Sequence, residues 1–546
     1  MLGSVGDKPN DRELAENLQA FSRSLTRADR ERRRDLVLAY GRAMRQLAGI
    51  LRDVPGQKRV VLLSEGFDVS LLVGTEDRKK LADMARATSL GAPWTVDTQT
   101  RYGDMTFLKE LQENLATLPK AGATIEAADI GRGSIDPGSP TQSTASDGLF
   151  LIASGTGGRV WGVGADDASG LAPLLERTEV TYLLTFQPRD LGEPGVFHPL
   201  EVELANGVAP ARVVARSGYY APLPYDRIDE QARRIEASNR LMSGGSGGPL
   251  TLETLAVPIR EGSGPPYVAI LVEIDGPPLL AAARDKAVKL ELYGYAFDLE
   301  GRVRDRFAER WAFDLDRVGK TLRETGVKYF GHLDLPPGDY RLHLLARDGA
   351  GREGLRSVDV HVPDFASGEP VLLPPLVPEA PGKWVTVREN PERQKARQVA
   401  YPFLWQGAPY LPAATVRLPP SGGSTPAVLA AYGLGGGAPA VTARVFDPAG
   451  AQEVADPIAL GSGRSEAGDE GREDFRGALR TGRLKQGSYE LSVSLSEPGG
   501  ARTPTVSLPI RITPEAAGEP GAGAGTLLAG PPSRAAPCRG PRGTNR

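Results

Sequence analysis

The sequence predicts a chain of two characters: an α/β fold in the first half, followed by an all-β second half. Three observations carry this. Apolar helical stripes alternate with short continuous apolar runs up to about residue 222. Beyond residue 248 the pattern changes to alternating strands separated by turn residues. Within that second half, two motifs recur at one offset. The chain has 546 residues, enough for several domains rather than one. Hydrophobic residues are 40% and charged residues 24%, so sizeable cores are expected and wholesale disorder is excluded. The 66 glycines and 46 prolines favour turn-rich β-structure. A net charge of −3 gives no basic field of the kind that drives nucleic-acid binding.

Leu36, Tyr40, Met44, Leu47 and Leu51 form a helical stripe, which Thr26 or Asp29 could cap. Val60–Leu63 reads as a strand buried on both faces of a parallel sheet. Helices are expected near Glu76–Ser89 and from an Asp104 cap through Leu118. Ala123–Asp129 is a second buried strand, followed by a helix near Asp167–Arg177 and a third strand at Val180–Phe186. Leu200–Leu204 and Ala211–Ala215, joined through Asn206-Gly207, predict an antiparallel hairpin at the sheet edge. A helix over about Asp226–Met242 leads into Ser243–Gly248, a flexible linker by composition.

In the second half, Phe297-Asp298-x-x-Gly301 recurs as Phe446-Asp447-x-x-Gly450, and 446 − 297 is 149. Leu335-x-x-Gly338-x-Tyr340-x-Leu342 recurs as Leu484-x-x-Gly487-x-Tyr489-x-Leu491, again at 149. These matches predict tandem copies of one β-domain over 249–363 and 400–513, with Tyr340 and Tyr489 equivalent. The L-x-x-G-x-Y turn resembles the corner of an immunoglobulin-like sandwich. A Pro-rich extended linker is expected over 364–399, and a disordered tail over 514–546.

Several residue patterns bear on chemistry. Cys538 is the only cysteine, which rules out an intrachain disulfide. None of His198, His332, His343 and His361 has zinc-site spacing, and His343 and His361 read as solvated strand-face residues. Glu65, Asp68 and Asp129 lie at the carboxyl ends of the first two strands, where open α/β sheets bind ligands. They read either as a variant cation site or as loop carboxylates that cap the next element. Ser154-Gly155-Thr156-Gly157-Gly158 lacks the G-K-[ST] ending of a phosphate cradle and reads as a tight turn. Ser64 lies in L-S-E-G, which is not a nucleophile elbow. Arg27, Arg30 and Arg32–Arg34 alternate with acids and read as a solvated helix face. Trp311, Tyr329 and Phe330 read as sandwich core. No catalytic residue is assigned. No run of about 18 apolar residues exists, and the first 25 residues lack the apolar core of a signal peptide.

Five segments together resemble the bacterial von Willebrand factor A-related family. They are Lys58–Asp68 (K-R-V-V-L-L-S-E-G-F-D), Gly122–Ile125, Ser154–Arg159, Tyr182–Phe186 and Ala215–Pro222 (A-R-S-G-Y-Y-A-P). The resemblance covers about residues 30–222. It implies a von Willebrand A-like α/β domain over 1–222, a helix and Gly/Ser linker over 223–248, and two immunoglobulin-like sandwiches beyond. The family's adhesion site holds Mg²⁺ through D-x-S-x-S, a later threonine and the Asp of T/S-D-G. Here D-x-S-x-S is missing and Glu65 stands at the Asp position, so the site is expected to be degenerate. No cofactor is expected unless a first strand lies upstream. The family favours an extracytoplasmic protein whose partner is another protein. The expected function is non-enzymatic protein binding or scaffolding; the alternative is a hydrolase with accessory β-domains.

Overall fold

The computed structural model describes residues 9–67, 72, 105–130, 140–162, 186–190, 192–203, 217–281, 283, 286–390, 393, 397, 399–405, 408–419, 423–434, 440–447, 459–462, 466–467, 471–480, 484–496 and 504–513. The chain divides into two units, Met1–Glu236 and Ala237–Arg546.

In the first unit, β1 (Lys58–Ser64), β2 (Ala123–Asp129) and β3 (Val160–Gly162) form a parallel sheet in the order β1-β2-β3. Ser64 is the register partner of Asp129, and Ala127 that of Val160. The central strand β2 is buried along nearly its whole length. On β1, by contrast, Val61 is 43% and Leu63 63% exposed. The expectation of burial on both faces fails for β1: its burial alternates, so that one face, carrying Arg59, Val61 and Leu63, is exposed. The third strand is Val160–Gly162; the expected Val180–Phe186 lies, but for Phe186, outside the described residues. So do the helices expected near 76–89 and 167–177, most of the expected hairpin, and the tail. The antiparallel pairing that is described joins β4 (Phe197–Pro199) to β5 (Gly218–Tyr220), just outside that hairpin.

One helix runs over Pro9–Arg52, so neither Thr26 nor Asp29 caps it. Among its described residues the buried hydrophobic side chains are Val37, Ala48 and Leu51, while Leu36 is 63% exposed. They pack on Phe107, Leu111 and Leu115 of the helix Met105–Leu115 and on Ile125 of β2. The helix Pro140–Gly155 sets Leu149 and Ala153 against Ala127.

The second unit opens with the C-terminal part of the helix Glu230–Ser243, whose Ala237 and Leu241 pack on Tyr293, Leu345 and Leu355. The Gly/Ser segment that follows is not a free linker. Gly247 and Leu355 exchange backbone hydrogen bonds at 2.9 and 2.8 Å. Gly247 and Gly248 hold φ near +116° and +118°, and a Cβ on Gly248 would stand 2.4 Å from the Glu353 carbonyl. Glycine is required there for backbone conformation and close approach, not for flexibility.

Among the described residues, the rest of the unit is built mainly of four β-sheets stacked in layers, with the helices Gly276–Leu280 and Leu315–Glu324 packing Leu279 and Leu322 into the first core. The first layer has the order β12-β11-β8-β9, from β8 (Ala287–Phe297), β9 (Val303–Asp314), β11 (Gly338–Asp348) and β12 (Glu353–Val362). The second is β15-β10-β7-β6, from β6 (Leu252–Ile259), β7 (Tyr267–Asp275), β10 (Gly326–Leu333) and β15 (Val385–Arg388). The third is β13-β20-β24-β22, from β13 (Val371–Leu372), β20 (Ser424–Tyr432), β22 (Ala459–Ser462) and β24 (Arg472–Arg480), with β23 (Glu466–Ala467) beside β24. The fourth is β19-β26-β25-β21, from β19 (Val416–Leu418), β21 (Ala440–Phe446), β25 (Gly487–Ser496) and β26 (Thr505–Ile512). Two short pairs complete the set: β14 (Pro378–Glu379) with β18 (Leu411–Pro412), and β16 (Leu404–Trp405) with β17 (Ala408–Pro409).

Layers one and two share one core, and layers three and four another. Each pair is therefore a β-sandwich. A third core joins the sandwiches. On β7, Val268, Ile270, Val272 and Ile274 face the first core, while Tyr267, Ala269 and Leu271 face the joint. On β20 the same division sets Ala427, Leu429 and Ala431 against Val428, Ala430 and Tyr432. Period-two alternation with both faces apolar explains why these strands read as continuous hydrophobic runs.

The repeat is present in the pairing register. Phe297 of β8 opposes Arg341 of β11, and Phe446 of β21 opposes Glu490 of β25, each shifted by 149. The Tyr340 hydroxyl donates to the Pro336 carbonyl at 2.8 Å, and that of Tyr489 to the Lys485 carbonyl at 3.1 Å. Tyr340→Phe should cost about 1 kcal/mol in urea unfolding, the usual net value of such a bond. Tyr489→Phe should cost less, because its hydroxyl is exposed to water.

Residues 364–399 are not a linker. They supply β13 to the second sandwich, then β14, then β15 to the first. The chain thus passes forward into the second sandwich and back into the first before it continues.

Candidate functional site

The carboxyl end of the parallel sheet places the predicted acids unevenly. Asp129, the last residue of β2, is buried, whereas Glu65, one residue past β1, is exposed. Asp68 lies outside the described residues. Ser64 is engaged locally, its Oγ accepting the Gly66 amide at 3.1 Å. Among the described residues no three acidic, histidine or cysteine side chains stand together as a metal site. A hard divalent ion needs about six oxygens and sheds its water only where several protein groups converge. The degenerate site expected from the missing D-x-S-x-S predicts no micromolar binding in calorimetric titration of Mg²⁺ into the chain, and no change of the trace in Glu65→Ala.

The Ser154–Gly158 motif terminates a helix. The Gly157 amide donates to the Ser154 carbonyl at 3.1 Å and the Gly158 amide to the Ala153 carbonyl at 2.9 Å. Gly157 takes φ +84°. The Thr156 hydroxyl donates to the Ala153 carbonyl and accepts the Ile125 amide, both at 2.9 Å, so it ties the helix end to β2. Glu126 accepts the Arg159 amide at 3.1 Å. These amides are used inside the protein, as a tight turn requires.

In the second unit, charged side chains that sequence reasoning passed over are buried at the joint between the sandwiches. Glu253, Glu273 and Lys328 lie side by side on β6, β7 and β10, as successive register partners. Lys328 is fully buried. Its ammonium donates to Glu273 Oε1 at 2.8 Å, to the Pro412 carbonyl at 2.5 Å and to Glu379. Glu379 also accepts Lys383 Nζ and Trp384 Nε1, each at 2.7 Å. Burial opposes its ionisation, but Lys328 and Lys383 prevail and hold its carboxyl below the ordinary value. Glu273 accepts the Ala414 amide at 2.7 Å, and Glu253 accepts Arg511 at 2.7 Å. The signal available in the sequence was a charge interrupting an apolar run, as in Val327-Lys328-Tyr329 and Val272-Glu273-Ile274.

A second cluster gathers at the other end of β10. His332 Nδ1 lies 2.8 Å from Glu389, which also accepts the His332 amide at 3.2 Å. Glu309 on β9 accepts the Asn390 amide at 2.9 Å. Burial pushes the Glu309 carboxyl up to about 7; the Asn390 amide opposes this and the neighbouring Glu389 adds to it. Arg393 bridges the cluster, donating to Asp305 at 2.5 Å and to the His332 carbonyl at 3.1 Å.

The remaining candidates resolve as packing. Trp311 and Tyr329 belong to the core of the first sandwich, with rings 5.6 Å apart. Phe330 points to the opposite face and packs on Tyr401 at 4.9 Å. His343 is half-buried rather than freely solvated: its Nδ1 lies 2.6 Å from the Leu241 carbonyl. His361 is exposed, beside Asp339 at 2.7 Å. Arg33 pairs with Asp29 at 2.9 Å on the exposed helix face, while Arg34 lies over the Phe107 ring at 5.3 Å. Among the described residues, no helix is long and apolar enough to cross a membrane.

No protein-family model and no curated protein matches the chain. Among solved structures it is similar to a family 123 glycoside hydrolase from Clostridium perfringens, at 11% identity and a TM-score of 0.12. That match covers 18% of this chain and 23% of the hydrolase, so the chain spans under a quarter of its length. It is also similar to the C-terminal domain of the Streptococcus pyogenes antigen I/II-family protein AspA, at 9% identity and a TM-score of 0.13. That match covers 48% of this chain and 99% of the other.

Proposed function

We propose that this chain is a non-enzymatic protein-binding or scaffold protein, in which a von Willebrand A-like α/β domain with a degenerate metal site precedes two immunoglobulin-like sandwiches. The observation that carries the reading is the joint between the sandwiches. Its buried charges are spent on fixing one sandwich to the other, which yields a stiff tandem suited to presenting a surface. The immunoglobulin-like assignment is supported by strand order. β13-β20-β24-β22 faces β21-β25-β26 as strands A-B-E-D face C-F-G in that fold, and Tyr340 and Tyr489 make its tyrosine corner. The von Willebrand A-like assignment is supported by the parallel β1-β2-β3 sheet and by the motif order that the sequence carries.

One observation favours the hydrolase reading. Glu309, with a carboxyl near 7 beside Glu389, has the profile of a general acid. The test is a panel of glycoside, ester and peptide substrates incubated with the full chain and with Glu309→Gln. Turnover lost in the variant would overturn the binding reading. The scaffold reading expects no turnover from either protein. It also expects a protein partner that survives EDTA and whose hydrogen-exchange footprint falls on a sheet edge or on the carboxyl end of β1 and β2.

A further inference from the structure

The segment that returns to the first sandwich is fastened there, beyond β15, by ionisable groups. Glu389 accepts the His332 amide at 3.2 Å and lies 2.8 Å from His332 Nδ1. The Asn390 amide donates to Glu309 at 2.9 Å. Arg393 donates to Asp305 at 2.5 Å, to the His332 carbonyl at 3.1 Å and to the Arg306 carbonyl. Arg397 donates to Asp334 and, at 2.7 Å, to the Pro265 carbonyl. β7 adds Tyr267, whose ring meets that of His332 edge-on at 6.1 Å, and β10 adds the fully buried Tyr329. Burial pushes both phenols up, so neither titrates near neutral pH.

Within this cluster Glu309 is the exception. By alternation it shares the face of β9 that carries Phe307, Trp311 and Phe313 into the first core, and it is 7% exposed. Among the described residues it forms no ion pair, and its hydrogen bond is the one from Asn390. The acids around it are otherwise served: Asp305 by Arg393, Glu389 by Arg393 at 3.8 Å and by His332, and Asp334 by Arg397. A buried carboxylate without a cation is costly, so this geometry favours the protonated acid. Burial, opposed by the Asn390 amide and reinforced by Glu389, accordingly pushes the Glu309 carboxyl up to about 7.

We propose that these contacts form a proton-operated clasp, in which the segment from Glu389 to Arg397 is held on β9 and β10 while Glu309 is protonated and opens locally once Glu309 is ionised. A protonated carboxyl still accepts the Asn390 amide. An ionised one needs a cation or water. Arg393, the cation it feels, is already divided between Asp305 and Glu389, and Glu389 repels it. Releasing a surface segment admits water without unfolding the sandwich. Once opened, the carboxyl returns to its ordinary 4.5. Opening is therefore independent of pH below 4.5, grows about tenfold per pH unit between 4.5 and about 7, and levels off above that. The clasp is tight in acid and loose at neutral pH.

The experiment is hydrogen exchange of the full chain read by mass spectrometry across pH 5 to 8, corrected for the intrinsic rate at each pH. Peptides covering 328–333 and 389–397 report the clasp, and one covering 288–294 of β8 reports the sandwich as a whole. The clasp peptides should exchange through an opening that leaves 288–294 protected. Their opening should grow about tenfold per pH unit from pH 5 to 7 and then level off. Glu309→Gln, which mimics the protonated acid, should hold the clasp closed and its exchange flat with pH. His332→Gln, which keeps a donor toward Glu389, should retain the slope. Unchanged protection of 288–294 shows that each variant is folded, and the wild-type profile tests the proposal without any variant. A flat wild-type profile, clasp peptides that exchange only together with 288–294, or a slope that survives in Glu309→Gln would each overturn the proposal. So would a slope that His332→Gln alone abolishes.

Discussion

Lys328→Met should destabilise the chain by about 3–5 kcal/mol in urea or thermal unfolding, a large effect for one substitution. Methionine nearly matches the volume of the lysine stem, so the loss is electrostatic rather than a cavity. The side chain is 0% exposed and its ammonium faces both Glu273 and Glu379. Removing it leaves the Glu273 carboxylate in a dry joint without its cation, and Glu379 with Lys383 alone. Lys328→Met combined with Glu273→Gln and Glu379→Gln should recover most of the loss. The amide oxygens can still accept the Ala414 amide and the Trp384 indole that the carboxylates accept now. Failure of the triple variant to recover would show that packing around the lysine stem, not unpaired charge, dominates.

Glu309→Gln should stabilise the protein at pH 8 by up to roughly 3 kcal/mol and flatten its stability between pH 4.5 and 7. The carboxyl is raised from 4.5 to about 7 in the folded chain. Between those values the native state keeps a proton that the unfolded chain has released. Stability therefore falls as pH rises through that window and is greatest, for this group, below 4.5. That rise of the carboxyl corresponds to roughly 3 kcal/mol, an upper value because the structure can relax around the ionised group. Glutamine keeps an acceptor for the Asn390 amide while never ionising. The check is chemical denaturation of both proteins across pH 4 to 8. Parallel curves would show that Glu309 does not titrate in this window.

Both effects arise from residues the sequence left unremarked, and the reason is separation along the chain. Lys328 meets a glutamate 51 residues away and a carbonyl 84 away. No local pattern encodes such a meeting; only the interrupted apolar run hints at it. The repeat was legible because both copies carry the same turn chemistry, L-x-x-G-x-Y, and that chemistry sets local register. The first two parallel strands were legible from their apolar runs and flanking glycines. The Gly/Ser segment was misread because composition does not separate glycine needed for positive φ from glycine left free. Residues 364–399 were misread because two-residue strands leave no periodicity. At the candidate metal site, the departure of Glu65 from the family's aspartate was legible, and its exposure beside a buried Asp129 was not.

The double crossing of residues 364–399 bears on how the protein is made. During synthesis the first sandwich cannot close when β12 leaves the ribosome at Val362, since its edge strand β15 ends at Arg388. Before that strand emerges, β13 has already emerged, and its partner β20 begins only at Ser424. Between Leu372 and Arg388, 388 − 372 or 16 residues of translation, the nascent chain therefore exposes sheet edges of both sandwiches at once. The buried joint, with Lys328 awaiting Glu379 and the Pro412 carbonyl, forms only later still. The two sandwiches are thus interlocked in chain order, and no position between them can be cut without taking a strand from one of them.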